Sequence, residues 1–345
     1  MTSNLQEYLY NKWLHRFAII TGIVAVILIV AGATVTSTGS GDAVPDWPLS
    51  YGSLNPPMQG GILFEHSHRL IAGLTGICIA ILAIWLWKKD QRGWLKKLGF
   101  VALLAVVIQA ILGGLRVLIV STDAVQEAAI QLTGSSQIDQ TRIAIAITHA
   151  FLAQSILCLV FAIGVFTSKS WLFAKPTSTH EESGQKLTGL GIGLVCLIFL
   201  QLILGAIVRH TEAGLIIPDF PLSFGRIIPP FGDLPNNLNA PFPITDTEFL
   251  TKVIVHFSHR VIAFVILGLV ITLFARFRAS EHTGKLVQYL MILTIIQIIL
   301  GASNIWTAKS VYVTVPHVVI GALILANSIV LTLWSLKKRH QAFAI

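Results

Sequence analysis

The chain's 345 residues are 54% hydrophobic and 12% charged, with a formal net charge of +8 and a mean hydropathy of +0.76. This composition excludes a soluble globular domain and points to a polytopic membrane protein. The positive charge sits mainly in the connections between apolar stretches, so it reads as topology and not as nucleic-acid binding.

Eight apolar stretches provide the roughly 20 residues that cross a bilayer. They run 17–37, 66–87, 98–120, 142–168, 187–209, 253–275, 286–307 and 315–336, and most lack the polar face of a soluble core helix. The expected fold is an all-α membrane protein whose eight transmembrane helices form two tandem, same-orientation four-helix bundles. The expected domains are an N-terminal repeat over 1–168, a cytoplasmic linker over 169–186 and a C-terminal repeat over 187–345.

Lys12 and Arg16 lead into the first stretch. It is read as a retained helix and not a cleaved signal, because its counterpart at 187–209 is internal. Thr38-Gly39-Ser40-Gly41 follows, then Pro45-Asp46-Trp47-Pro48-Leu49-Ser50-Tyr51-Gly52 and Pro56-Pro57. The second stretch opens on Glu65-His66-Ser67-His68-Arg69, and Lys88, Lys89, Arg92, Lys96 and Lys97 fill the next connection. The third carries Gln109, Ile111-Leu112-Gly113 and Arg116. Residues 121–141 enlarge the following loop, where Asp123–Leu132 could form a short surface helix, and His149 lies early in the fourth stretch.

The second half repeats the first. Thr211-Glu212-Ala213-Gly214, Pro218-Asp219-Phe220-Pro221-Leu222-Ser223-Phe224-Gly225 and Pro229-Pro230 follow the fifth stretch at a constant offset of 173. Residues 231–250, rich in Pro and Asn, enlarge that loop; His256-Phe257-Ser258-His259-Arg260 then opens the sixth. Gln297 with Ile299-Leu300-Gly301 mirrors Gln109, and His317 mirrors His149. Basic residues crowd alternate connections, with Lys169, Lys175, Lys186, Arg276, Arg278, Lys285, Lys337, Lys338 and Arg339 on the same side as those already named. Both termini are therefore expected in the cytoplasm. The absence of an Arg- and Ser-rich transit peptide favours a bacterial plasma membrane. Cys78, Cys158 and Cys196 lie inside apolar stretches and read as packing residues.

Polar groups in hydrocarbon cost several kcal/mol and mark function. His68 and His259 occupy equivalent places early in their helices, as do His149 and His317. One such histidine alone would be read as an interhelical hydrogen-bonding group. Four at repeat-equivalent depth read as two pairs of axial heme ligands, since zinc wants a third or fourth donor. His15, His180, His282 and His340 read as surface residues and His210 as interfacial.

Glu65 precedes His68 by three positions, about 4.5 Å along the axis. It fits either a carboxylate that acts at a heme edge or an interfacial acid paired with Arg69. His256 replaces it in the second half, which confines such chemistry to the first. Arg69 and Arg260 suit heme propionates or lipid phosphate, and Arg116 and Arg209 invite the same two readings. Gln109 and Gln297 read as interhelical hydrogen-bond glue. Trp47 and Phe220 fit either a cover for a heme pocket or interface anchors.

Together, Glu65-x-x-His68-Arg69, His149, His259-Arg260, His317 and the two Pro-Asp-aromatic-Pro-Leu loops resemble the heme A synthase family, from about residue 17 to 336. The resemblance implies oxidation of a ring methyl of heme O to a formyl group through a hydroxylated intermediate. It implies that His68 and His149 hold the substrate heme, that His259 and His317 hold a heme b cofactor, and that Glu65 is the catalytic acid. A heme O synthase and terminal oxidase assembly factors are the partners it implies. Many members carry a cysteine pair flanking the Pro-Asp-Trp-Pro-Leu loop. Here Val44 and Ser50, and Ile217 and Ser223, stand in those places, which marks a subclass without a loop disulfide.

Two other readings stand beside this one. In a di-heme quinol-oxidising electron-transfer cytochrome, Glu65 would be a proton-exit group; one ligand per helix, all on one side, counts against the familiar version. A repeat-built transporter would want Gly/Pro-interrupted helix pairs and mid-membrane charges, which these helices lack.

Overall fold

A computed structural model describes residues 10–133, 138–174, 181–234, 245–281 and 283–342. Among these, eight helices are long and apolar enough to cross a membrane. They are α1 Lys12–Ser37, α2 Gly60–Lys89, α3 Gly93–Ser121, α4 Ile138–Phe166, α5 Glu181–His210, α6 Asp246–Phe277, α7 Gly284–Trp306 and α8 Val311–Ala342. The all-α membrane architecture is borne out: the described residues contain no strand, only two isolated bridges, Ser50 with Ser53 and Ser223 with Arg226.

Several helices start well before the apolar stretch that announces them. Hydropathy marks only the part facing hydrocarbon, whereas the backbone ladder continues to a cap. The Asn11 side chain accepts from the Trp13 and Leu14 amides at the head of α1. At the head of α6, Thr245 accepts from the Glu248 amide, and Asp246 and Glu248 complement the helix dipole. The same extension starts α2 at Gly60, so Glu65 already lies inside the helix.

The chain divides into two compact units, Met1–Thr188 with Ile329–Ile345, and Gly189–Ser328. In the first, consecutive helices of α1–α4 pack on each other and α4 returns to α1, which sets α2 diagonal to α4. The apolar core gathers at one end, from Leu14 and Ala18 of α1, Leu82 and Leu86 of α2, Leu95 of α3 and Ile163 of α4. Lipid tails are as apolar as leucine, so close packing and interhelical polar contacts hold such a bundle together. Arg92 supplies one of those contacts, pairing with Asp90 at 2.7 Å and donating to the Phe166 carbonyl at 2.8 Å. His68 and His149 lie toward the opposite end.

In the second unit, α6 packs on α7, and both touch the short turn Ala213–Leu215. Ile217, Phe249 and Val253 form a small core joining the loop after α5 to α6.

The surface helix expected near 123–132 is present as Asp123–Thr133. Residues 134–137, 175–180 and 235–244, His282 and the side chain of His340 lie outside the described residues. Parts of the enlarged loops and of the linker, together with His180, fall there as well.

Candidate functional site

The two Pro-Asp-aromatic-Pro-Leu loops fold alike. Trp47-Pro48 and Phe220-Pro221 are both cis, and Tyr51 and Phe224 both adopt positive φ, at 53° and 55°. Asp46 explains the turn: its carboxylate accepts from the Tyr51 and Gly52 amides, each at 2.8 Å. Asp219 does the same for Phe224 and Gly225 at 2.7 Å. Burial works against the ionised form of Asp46, but the Gly52 and Tyr51 amides outweigh it and hold the carboxyl below its usual range.

Each loop is fastened to the helix that follows it by one arginine. Arg69 donates to the carbonyls of Asp46 at 2.6 Å, Leu49 at 2.5 Å and Val44 at 3.3 Å. Arg260 donates to Asp219 and Leu222 at 2.8 Å and to Ile217 at 3.1 Å. The structure thus turns both guanidiniums toward loop carbonyls. The planar five-donor fork suits this task, and a single ammonium would not span it.

Glu65 is 4% exposed. It pairs with Arg69 at 2.5 Å and accepts from the Val44 amide at 3.0 Å. In the second half His256 fills this place and accepts from Arg260 Nε at 3.2 Å. The substitution removes a negative charge but keeps a partner for the arginine. His66, whose role the sequence left open, is buried: its ring contacts Ser50 Oγ at 2.8 Å and the Leu54 carbonyl at 3.1 Å. Val44, Ser50, Ile217 and Ser223, the four places compared with family cysteines, are all buried.

All four candidate ligands rest against glycine. A Cβ built on Gly32 would lie 3.1 Å from His68 Cε1; on Gly113, 3.2 Å from His149; on Gly205, 3.1 Å from His259; on Gly301, 3.3 Å from His317. Each ring therefore lies against the bare backbone of the preceding helix. Gln109 Nε2 donates to the His149 carbonyl at 3.0 Å, and Gln297 Nε2 lies 3.4 Å from His317 Nε2. The glue expected of these glutamines thus acts on the histidines themselves. Gln201, which the sequence reading missed, donates to the His259 carbonyl at 3.0 Å and lies 3.3 Å from His259 Nε2.

Trp47 lies on α3, where any side chain at Gly114 would strike its ring, one residue from the glycine facing His149. Phe220 stacks on Phe264 at 6.4 Å and meets Trp306 edge-on at 6.3 Å. The Arg116 guanidinium lies against Gly41, and Arg209 is half-buried at the end of α5. His15, expected on the surface, is half-buried and contacts Thr167 Oγ1 at 3.3 Å, bridging the ends of α1 and α4.

These residues suit a heme. Among the described residues, no group of three or more His, Cys, Asp and Glu side chains could hold a bare metal ion. Imidazoles in pairs match the two axial positions that a macrocycle leaves on iron. Among the described residues, the shielded Nδ1 atoms of His68, His259 and His317 find no hydrogen-bond partner.

Fold and site define a multi-pass helical membrane protein with a duplicated set of shielded imidazoles. The sequence profile of the cytochrome oxidase assembly proteins matches residues 59–329, and the chain belongs to that family. Heme A synthase of Halalkalibacterium halodurans is 27% identical across 91% of this chain and 94% of its own length. That of Alkalihalophilus pseudofirmus is 25% identical across 96% of this chain and the whole of its own. That of Bacillus cereus is 29% identical across 89% and 88%.

Proposed function

We propose that this chain is a heme A synthase, an oxidoreductase that converts a ring methyl of heme O to a formyl group through a hydroxylated intermediate. The observation that carries this reading is the asymmetry of a repeated site: both halves keep two histidines on glycine seats, and only the first keeps a buried carboxylate one turn from its ligand. His68 and His149 hold the substrate heme, and His259 and His317 hold heme b. Heme b, when bound, supplies one-electron redox chemistry.

The chain's own contribution is positioning and charge. The Val44 amide and Arg69 fix the Glu65 carboxylate, so it need not reorganise as positive charge develops on the substrate ring. It is also the group placed to take the protons that leave with the electrons. Arg69 and Arg260 serve the two sites by fastening the loops at the same helix ends. The repeats are assigned to 1–168 and 187–345, joined by 169–186, with both termini in the cytoplasm of a bacterium.

The test is the mass and absorption of hemes extracted from the full chain, expressed where heme O is made and heme A is not. Heme A, or its hydroxylated precursor, beside heme b is expected. Heme b alone despite available heme O would favour an electron-transfer cytochrome. His259→Ala should lose the heme b while His149→Ala should not, by heme-to-protein ratio.

A further inference from the structure

Building on the ligand assignment above, we propose that Arg116 receives a carboxylate of the porphyrin substrate. The first half then binds its heme through this ion pair as well as through iron.

A heme carries two propionate carboxylates, and a carboxylate taken into a membrane bundle needs a cation and hydrogen-bond donors. The histidine end of the first unit has three Lys or Arg residues in its helix ends and loops: Arg69, Arg116 and Arg142. Two are already engaged. Arg69 is held by Glu65 and by the carbonyls of Val44, Asp46 and Leu49. Arg142, in the first turns of α4, pairs with Asp42. Arg116 is half-buried, yet it forms no hydrogen bond or ion pair among the described residues. A guanidinium withdrawn from water without a partner is destabilising, and a bound anion offsets that.

The chain also gives this side chain a place. Arg116 follows Gly113 by three residues, on the same face of α3, and Gly113 is the glycine against which His149 rests. The guanidinium lies over Gly41, where a Cβ would sit 2.5 and 2.6 Å from its two terminal nitrogens. From Gly41 the loop runs to Val44, whose amide holds Glu65. Asp42, the residue beside Gly41, is taken by Arg142 and does not close on Arg116.

The second half lacks this set. In register, Asn304 stands for Arg116, Leu215 for Asp42 and Ser310 for Arg142. Asn304 is spent inside its own unit, donating to the Leu300 carbonyl at 3.0 Å and accepting from Thr314 Oγ1 at 2.7 Å. The arginine one turn beyond a ligand-facing glycine there is Arg209, on α5, where the first half has Thr36. Arg116 therefore belongs with Glu65 among the charged groups found in the first half alone. Both carboxylates of a heme leave one edge of the ring. The group that takes one limits how the ring turns between His68 and His149, and so which substituents face Glu65.

The test compares two probes on the full-length protein with its second-half heme in place: iron protoporphyrin IX and its dimethyl ester, which keeps the iron and loses both charges. Wild type should bind the acid about tenfold or more tightly than the ester, the factor of one charge-assisted hydrogen bond. Arg116→Gln should bind both alike, with ester binding as in wild type. A preference kept in Arg116→Gln overturns the proposal, and is the result expected if the guanidinium serves a lipid phosphate instead. Equal binding of acid and ester by wild type overturns it too. If Arg116→Gln does not assemble, Gly41→Ala decides, since its methyl displaces the guanidinium: preference lost supports the proposal, and preference kept overturns it. Titrations left unmoved by His149→Ala would overturn the ligand assignment itself, and the proposal with it.

Discussion

Arg69 holds Glu65 at 2.5 Å while three of its remaining contacts go to the carbonyls of Val44, Asp46 and Leu49. The carboxylate is therefore part of a structural clasp as well as a candidate for chemistry. The two roles separate under Glu65→Gln. The amide keeps one acceptor oxygen, enough for Val44 or for Arg69, and Arg69 keeps its three loop carbonyls, so the loop and the heme content should survive. The fixed negative charge is gone, and formyl production should fall about 100-fold or more, the usual scale for a positioned acid or base. Quantifying heme A against total heme checks this; unchanged heme A yield would leave Glu65 with the clasp alone.

Arg260 offers the same clasp without the carboxylate. Arg260→Lys can keep the Asp219 and Leu222 carbonyls and should lose the Ile217 and His256 contacts, about 2 kcal/mol in all. Local opening of the loop around Pro218–Gly225 should become about 30-fold more frequent, read as faster proteolysis there while the first-half loop stays resistant.

The arginine clasp shows where the sequence stops being legible. The eight spans, the repeat and all four histidines follow from hydropathy and register alone. The direction of a guanidinium at a helix start does not, because a propionate, a lipid phosphate and a loop carbonyl all satisfy it equally in one dimension. Gln201 was missed for a different reason: its counterpart is Leu28, so comparison of the halves passes over it. The glycine seats are silent because glycine is frequent in membrane helices, and only the facing imidazole gives Gly32, Gly113, Gly205 and Gly301 their meaning.

Asp46 makes the first loop sensitive to acid. Its carboxyl is held below the usual range in the folded loop, so the fold favours its ionised form. That contribution is fully present above the unfolded value, near 4, and is lost as pH falls through the lower folded value. Proteolysis or hydrogen exchange at Tyr51 and Gly52 should therefore accelerate below about pH 4. Asp46→Asn should show fast exchange at neutral pH and little further change on acidification.

The orientation of the helices has its own test. Asn55 and Gln91 are both exposed, at opposite ends of α2, and the native Cys78 and Cys158 are buried. The basic residues Lys88, Lys89 and Arg92 place Gln91 on the cytoplasmic side. In intact cells a membrane-impermeant thiol reagent should label Asn55→Cys and spare Gln91→Cys until the membrane is opened. Cys196, which is exposed on α5, is first replaced by serine so that the signal belongs to the new thiol. The reverse labelling pattern would put the His68 end of the first unit, and its clasped loop, on the cytoplasmic face.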